Sequence, residues 1–264
     1  MKVGFIGCGN MASAMLGGII QKGVVAKEDL MASARTEKTR KKIKEEFQIA
    51  AIEDNKELAA KSDIIVLAIK PVYMEEVIEE IAECVTEEKI IVTLAPGKTL
   101  EWLDVTFGKP TKLIRTMPNT PALVGEGMTA LCPNELVSDR EMQVVEEIFQ
   151  SFGKTQVVSE PMIDVVVGVS GSSPAYVFLF IEAMADAAVA DGMMRSQAYE
   201  FAAQAVLGSA KMVLETGMHP GALKDMVCSP GGTTIEAVRV LEEKGMRSSV
   251  FEASKAAVKK ARGL

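Results

Sequence analysis

Two glycine-rich turns, one near each end of the chain, have the residue types that let an anion approach bare backbone amides. Near the N-terminus, Gly7, Gly9 and Ala12 form the pattern G-x-G-x-x-A between an apolar run and a helix-like segment. The glycines permit a tight turn and the close approach of a pyrophosphate, which the amides and dipole of a helix N-terminus attract. The pattern predicts dinucleotide binding, with an empty glycine turn in an α/β sheet as the alternative.

The second turn lies in "CSPGGTTIEAV", residues 228–238, where Pro230, Gly231 and Gly232 directly precede a helix-like run. Hydroxyl groups flank the glycines, but the lysine typical of a phosphate loop is missing. We therefore do not expect a phosphate loop here, and the residues of the turn alone do not identify the anion. The alternative is structural, because Thr233 followed three residues later by Glu236 also fits a capping box.

The end of the second predicted strand bears on which dinucleotide binds. In NAD enzymes an Asp or Glu at this place holds the ribose 2′-hydroxyl. Here the first acid, Glu37, comes late, and the place is taken by Ser33, Ala34, Arg35 and Thr36. Hydroxyls and a guanidinium suit a 2′-phosphate, so the pattern favours NADPH. Glu37 turned inward would bind a free ribose, which leaves NADH open.

Further candidates are polar residues at strand ends and in the helical part. Lys70, in "LAIKP", is either a catalytic acid or a solvated lysine. Lys211 fits a surface cation, and His219, which precedes Pro220, fits a structural residue of a turn.

The elements that must position these residues change in character near residue 158. Before it, short β-branched runs alternate with amphipathic segments, which predicts βαβ units around a mostly parallel sheet. After it, long helical stretches follow with little strand signal except the ambiguous "VVVGV". We predict an α/β domain over residues 1–158 and an all-helical domain over 159–264. The strand-like runs are "KVGFIG", "LMASA", "DIIVLAI", "KIIVTL" and "TKLIRT", and the change comes after "KTQVVSE".

One helical segment is apolar nearly all the way round. Ser173 and Pro174 suit an N-cap and a first-turn residue. The following "AYVFLFIEAMADAAVA" is interrupted only by Glu182 and Asp186. A helix with no polar face must be buried on every side. We expect a second subunit to cover it, with burial against the α/β domain of the same chain as the alternative.

Composition narrows the possible functions. The chain has 264 residues, 48% of them hydrophobic, and a net charge of -7, without the basic face of a nucleic-acid binder. No uncharged apolar run is expected to reach the roughly 20 residues of a membrane span. The scattered cysteines and single histidine suggest neither a disulfide framework nor a metal site. We expect a cytoplasmic protein that acts on small molecules.

Taken together, several segments closely resemble the pyrroline-5-carboxylate reductase family over essentially the whole chain. They are "GFIGCGNMA", "AIKP", "RTMPNTP", "SGSSPAYVFLFIEAMADAAV", "AAQAVLGSAKMVLETGMHPGALKDMV" and "SPGGTTIEAV". The resemblance implies NAD(P)H-dependent reduction of a cyclic imino acid to L-proline. It also implies an α/β fold in which an N-terminal Rossmann-like doubly wound sheet precedes an all-helical dimerisation domain. A homodimer, or a larger ring of dimers such as a decamer, is the implied assembly.

The resemblance also assigns roles to individual residues. Substrate binding falls on Glu160, Ser229, Gly232, Thr233 and Thr234, and we expect Thr234 to be catalytic through a hydrogen bond to the ring nitrogen. The implied cofactor-binding residues are Ile6, Gly7, Cys8, Gly9, Asn10, Met11, Ala34, Arg35, Thr36, Asn55, Ala68, Ile69, Lys70, Pro71, Leu94, Ala95 and Pro96.

Three residues depart from the usual pattern of the family. Ser173 stands where a glycine is usual, Pro96 removes a backbone donor beside the nicotinamide, and Gly217 replaces a polar side chain of some members. Two other functions therefore stay open. One is an NADP-dependent oxidoreductase for another small carboxylate or imino acid, and the other is an NADP-binding regulatory protein.

Overall fold

The computed structural model describes residues 1–263. Its contacts divide the chain into two units: the first comprises residues 1–171 and the chain from Ala257 onward, and the second comprises Ser172–Ala256. The strands are β1 (Val3–Ile6), β2 (Leu30–Ser33), β3 (Ala50–Ile52), β4 (Ile64–Leu67), β5 (Ile90–Thr93), β6 (Lys112–Met117), β7 (Gly127–Pro133) and β8 (Gly153–Val157). The α-helices are α1 (Asn10–Lys22), α2 (Glu37–Phe47), α3 (Asn55–Lys61), α4 (Met74–Ile81), α5 (Leu100–Phe107), α6 (Asp139–Gln150), α7 (Glu160–Val166), α8 (Ser173–Ala190), α9 (Arg195–Thr216), α10 (Pro220–Val227), α11 (Thr233–Glu243) and α12 (Met246–Ala261).

The first unit is built on one sheet with strand order β3-β2-β1-β4-β5-β6-β7-β8. All neighbouring strands are parallel except β6 and β7, which are antiparallel. The chain runs outward from β1 to β3 and then returns to place β4 on the other side of β1. Ligands bind outside the carboxyl ends of the strands at such a reversal. The predicted Rossmann-like doubly wound sheet is confirmed.

The core lies on both faces of this sheet. Along β1, Val3 and Phe5 face one cluster, which also contains Leu16 of α1. Ile6 faces the other cluster together with Ile78 of α4. Strands covered on both faces read as nearly continuous apolar runs, which is why these strands were recognisable in the sequence.

Strands β3, β7 and β8 were not predicted. The sequences of β3 and β7, "AAI" and "GMTALCP", are rich in alanine and glycine and poor in the β-branched and aromatic residues that signal a strand. The segment "RTMPNTP" is partly strand, since its first three residues complete β6. Only its end is turn-like, with a 3-10 helix over Thr120–Val124.

The stretch just after residue 158 packs into the first unit. Ile163 of α7 is fully buried against Met117, Ala130 and Cys132. The ambiguous "VVVGV" is helical: α7 ends at Val166 and a π-helical segment follows over Val167–Gly171. The division by contacts thus comes later in the chain than the change in sequence pattern. Domains at 1–158 and 159–264 remain a prediction.

The second unit is all helical within the described residues, and its long helices expose large apolar side chains. Phe178 and Leu179 of α8 are 63% and 68% exposed, and Phe201 of α9 is 68% exposed. The predicted N-cap of α8 is wrong by one residue: Ser172 is the cap, and it makes no side-chain cap hydrogen bond. Its backbone is already right-handed helical, because the preceding segment runs almost directly into α8.

The expectation about membrane-spanning runs needs a correction. Residues 165–181 carry no charged side chain, and the helical stretch Glu160–Ala190 is long and apolar enough to span a membrane by length and composition. A helix that packs against a second subunit passes the same test.

Candidate functional site

The turn from β1 to α1 is shaped for a close ligand. Gly7 has a φ of +92°, and its amide donates to the carbonyl of Ser33 over 3.1 Å. A β-carbon on Gly7 would meet the Ala68 carbonyl oxygen at 2.7 Å. Gly9 is the N-cap of α1 and makes no side-chain cap bond, and a β-carbon there would point into open space. The first amides of α1 thus face a place that suits a pyrophosphate.

A cleft of about 640 Å³ opens at the reversal between β1 and β4. It brings together many of the predicted cofactor residues: Ile6, Gly7, Cys8, Gly9, Ala34, Arg35, Thr36, Asn55, Ala68, Ile69 and Lys70. Four further lining residues were not among them: Ser33, Thr39, Tyr73 and Val77. Tyr73 ends the 3-10 helix after "AIKP" and Val77 lies in the first turns of α4, where the local sequence pattern indicates only a helix.

Other predicted cofactor residues lie outside this lining. Asn10 and Met11 form the first turn of α1, and Pro71 begins the 3-10 helix that precedes α4. Leu94, Ala95 and Pro96 follow β5, next to β4 in the sheet.

The end of β2 presents a guanidinium to the cleft. Arg35 Nη2 lies 3.0 Å from Glu76 Oε2, and its Cζ lies 4.5 Å above the ring of Tyr73. Arg40 donates to the carbonyls of Ala34 and Arg35 at 2.9 and 3.1 Å, which fixes the loop. Thr36 is the N-cap of α2 and accepts from the Thr39 amide.

A chain of hydrogen bonds joins the end of β2 to the start of α3 at the cleft. The Ser33 hydroxyl donates to Asn55 Oδ1 over 2.7 Å, and Asn55 Nδ2 donates to Glu80 over 2.8 Å. Asn55 is thereby fixed at the start of α3. Glu37, by contrast, is exposed at the start of α2 and is not among the residues that line the cleft.

The Cys8 side chain, which lines the cleft, is partly buried. Cys8 Sγ lies 3.8 Å from the Ser13 hydroxyl. Burial raises the pKa of Cys8, and the Ser13 hydrogen bond opposes this only in part. The thiol therefore stays protonated near neutral pH, as expected of a structural cysteine.

Glu160 contacts the start of α5, directly after the β5–α5 loop (residues 94–99). Its Oε1 is 3.1 Å from Arg115 Nη1 and accepts the Leu100 amide at 2.7 Å. The Arg115 guanidinium is buried and also contacts Asp164 at 3.4 Å.

In the second unit, the C-terminal turn (residues 228–232) leads into α11. Gly231 has a φ of +67°, and the Gly232 amide donates to the Ser229 carbonyl over 3.0 Å. Thr233 and Thr234 are the first two residues of the helix. The structure brings the predicted substrate residues of this turn together, and it places Glu160 in the first unit.

The predicted capping box at this turn is wrong. Gly232 is the N-cap, no side chain caps the helix, and Glu236 instead pairs with Arg239 at 2.7 Å. The first-turn amides of α11 therefore have no side-chain cap within the described residues, which favours the anion interpretation. Elsewhere in this unit, His219 Nδ1 accepts the Gly221 amide at 3.0 Å, so His219 caps α10 as the structural interpretation expected.

Comparison with known proteins adds independent information. Residues 160–264 match the family model described as pyrroline-5-carboxylate reductase dimerisation, and residues 2–97 match the one described as NADP oxidoreductase, coenzyme F420-dependent. The chain is 57% identical over 252 residues to pyrroline-5-carboxylate reductase of Escherichia coli (strain K12), covering 96% of this chain and 94% of that one.

Solved structures of the same kind are similar along their full length. One is a pyrroline-5-carboxylate reductase from Coxiella burnetii, with a TM-score of 0.93 and 35% identity, covering 99% of this chain and 97% of that one. Another is the Plasmodium falciparum pyrroline carboxylate reductase with NADP bound, with a TM-score of 0.90 and 33% identity, covering 100% and 97%. The dinucleotide cleft, the helical second unit with its exposed apolar faces and these matches agree: the chain belongs to the pyrroline-5-carboxylate reductase family.

Proposed function

We propose that this chain reduces L-1-pyrroline-5-carboxylate to L-proline with NADPH, the final step of proline biosynthesis. The observation that carries the proposal is the cleft built around Gly7 and Ala68 in a chain that matches this family over nearly its whole length. The unpaired cysteines of the described residues fit a protein of the cytoplasm, where we place it.

The β1–α1 turn would hold the pyrophosphate, and residues 34–36 with Asn55 would hold the adenosine side. Residues 68–71 and 94–96, at the ends of β4 and β5, would lie on the nicotinamide side. When bound, NADPH supplies the hydride that reduces the C=N bond. The position of Arg35 on the cleft and the exposed position of Glu37 support NADPH over NADH.

The C-terminal turn would bind the substrate. Ser229, Gly232, Thr233 and Thr234 offer hydroxyls and first-turn amides to its carboxylate, and the dipole of α11 favours an anion there. The Gly232 amide already donates to Ser229, so the amides from Thr233 onward would carry this contact. Thr234 would donate to or accept from the ring nitrogen and so orient the proton that the amine product gains.

Oligomerisation would provide the cover that the second unit needs. The family model that matches residues 160–264 describes a dimerisation region, and large side chains of α8 and α9 stay exposed in one chain. We propose a homodimer as the basic unit, with dimers assembled into a decamer. Light scattering on the purified protein measures the mass directly.

The activity test uses purified protein, NADPH and racemic pyrroline-5-carboxylate, with absorbance at the reduced-cofactor band and chromatographic detection of proline. We expect equal loss of NADPH and gain of proline. NADPH binding without proline formation at high protein concentration would favour a regulatory protein. Oxidation of NADPH with other small imino acids only would favour a different reductase.

A further inference from the structure

A buried cation lies next to the end of β5, outside the lining of the cleft. Arg115 of β6 is the register partner of Thr93, the last residue of β5, and only 4% of its side chain is exposed. It contacts two carboxylates of α7, Glu160 at 3.1 Å and Asp164 at 3.4 Å. Arg262, on the C-terminal segment, lies 3.9 Å from Asp164. Two cations and two carboxylates thus balance one another at this place.

The Glu160 oxygen that contacts Arg115 has a second partner. It accepts the amide of Leu100, the first residue of α5, at 2.7 Å. A carboxylate at a helix N-terminus is favoured by the free amides and the dipole. One oxygen atom thereby joins buried Arg115 to the start of α5.

The β5–α5 loop (residues 94–99) is anchored at its two ends. At the β5 end, the Ala95 amide donates to the Thr93 hydroxyl over 3.2 Å. The loop then contains Pro96, which has no amide proton, and Gly97, whose φ is +73°. At the α5 end, the contact of Leu100 with Glu160 holds the loop against β6 and α7.

We infer that Glu160, held in place by Arg115, is a positioning residue that fixes the β5–α5 loop beside the nicotinamide side of the site. This inference rests on the proposed function, and it gives Glu160 a role different from the predicted contact with substrate. Hydride transfer requires near-contact geometry, and a displacement of about 1 Å can slow it roughly 100-fold. Without the Glu160 carboxylate, the β5–α5 loop would be free to shift by about 1 Å.

The kinetic test compares two substitutions at Glu160 with one at Asp164. Glu160→Gln keeps an oxygen that accepts from Leu100 and Arg115, and we expect kcat within about threefold of the unaltered protein. Glu160→Ala removes that oxygen, and we expect kcat to fall about 10- to 100-fold, with KM for pyrroline-5-carboxylate changed by less than about threefold. Asp164→Asn is the matched control: it weakens the other contact of Arg115 but leaves Leu100 held, so kcat should be retained.

A second readout is independent of turnover. Trp102, the single tryptophan, lies in the first turn of α5, and the Lys98 ammonium of the loop lies 3.6 Å from its ring centroid. In protein without cofactor, Glu160→Ala should shift the Trp102 emission and increase its quenching by acrylamide. Glu160→Gln and Asp164→Asn should leave both unchanged.

The outcomes separate this inference from the function on which it rests. If the unaltered protein forms no proline, the proposed function fails and the inference fails with it. If it forms proline and Glu160→Ala keeps its kcat and its Trp102 signal, only the inference is overturned. If Glu160→Ala raises KM more than about tenfold with kcat unchanged, Glu160 is a substrate ligand and the inference is overturned. If Asp164→Asn loses as much kcat as Glu160→Ala, the charged cluster around Arg115 only stabilises the fold, and the inference is again overturned.

Discussion

The carbonyl oxygen of Ala68 lies so close to Gly7 that a β-carbon on Gly7 would be 2.7 Å from it. The two residues directly follow β1 and β4, the neighbouring parallel strands at which the order of strands in the sheet reverses. This contact therefore fixes the backbone at the place where the dinucleotide is proposed to bind.

A first prediction compares substitutions at the two glycines of this turn. Gly7→Ala should lower the stability of the folded protein, because the new carbon clashes with Ala68 and φ is +92° there. Gly9→Ala should leave the melting temperature nearly unchanged, since its β-carbon meets nothing within 4 Å. It should still weaken NADPH binding by about tenfold or more, because it fills the approach of the pyrophosphate. Differential scanning calorimetry measures the melting temperature, and isothermal titration calorimetry measures the NADPH affinity. Unchanged NADPH affinity in Gly9→Ala would contradict the proposed site.

The β1–α1 turn shows how much of the fold and of the candidate site could be predicted from local sequence. The nucleotide turn and the strands buried on both faces were predictable, because glycine spacing and continuous apolar runs are local signals. Strand β7 was missed because it has few β-branched residues, and its antiparallel pairing with β6 depends on contacts that its own sequence does not indicate. The predicted capping box failed because α11 begins at Thr233, with Gly232 as its N-cap, and Glu236 pairs with Arg239 instead. Arg115 and Glu160 are 45 residues apart, so no local pattern brings them together.

A second prediction concerns cofactor preference. Arg35→Ala should lower kcat/KM with NADPH by about 10-fold or more and change that with NADH far less, because the 2′-phosphate loses its guanidinium. Glu76→Gln should have the opposite effect, since Glu76 competes with the phosphate for Arg35 at 3.0 Å. Exposed ion pairs are weak, so we expect a gain of about two- to fivefold. Parallel titrations with both cofactors measure the ratio, and a loss shared equally by NADPH and NADH would argue against a 2′-phosphate contact.

A third prediction tests the hydroxyl of Thr234. Thr234→Val keeps the shape but removes the hydroxyl, and we expect kcat to fall about 10- to 100-fold while NADPH affinity stays within about twofold. Thr234→Ser restores the hydroxyl and should recover most of the turnover. Steady-state kinetics together with cofactor fluorescence titrations provide the comparison. Full activity in Thr234→Val would remove Thr234 from the mechanism.

A fourth prediction addresses the exposed apolar faces of the second unit. Leu179→Glu places a charge on α8 where the side chain is 68% exposed in one chain. If a second copy covers it, burial of the unpaired charge should dissociate the oligomer. Val105→Glu is the matched control, because Val105 on α5 of the first unit is 76% exposed. Light scattering should show a smaller mass for Leu179→Glu only; the same mass in both variants would place the subunit contact elsewhere.

A fifth prediction follows from the ionisation of Glu141. Burial by itself would raise the pKa of Glu141, but hydrogen bonds from Lys112 and Ser138 outweigh it and hold the pKa at about 2, below its ordinary 4.5. The carboxylate accepts from Lys112 Nζ at 2.6 Å and from the Ser138 amide at 2.9 Å, where it completes the capping box of α6. A lowered pKa in the folded state stabilises the protein above pH 4.5, and this stabilisation is lost as the pH falls toward 2.

Glu141→Gln has no charge to titrate at this position, so its stability should fall less steeply with acid than that of the unaltered protein. Urea unfolding at pH 7 and at about pH 3 measures the difference. Glu147→Gln, an exposed change on the same helix, controls for the loss of one carboxylate anywhere on α6. Because the other acidic groups are common to all three proteins, their effects cancel in the comparison. Equal acid sensitivity in Glu141→Gln and Glu147→Gln would show that the contacts of Glu141 with Lys112 and Ser138 do not stabilise the folded chain.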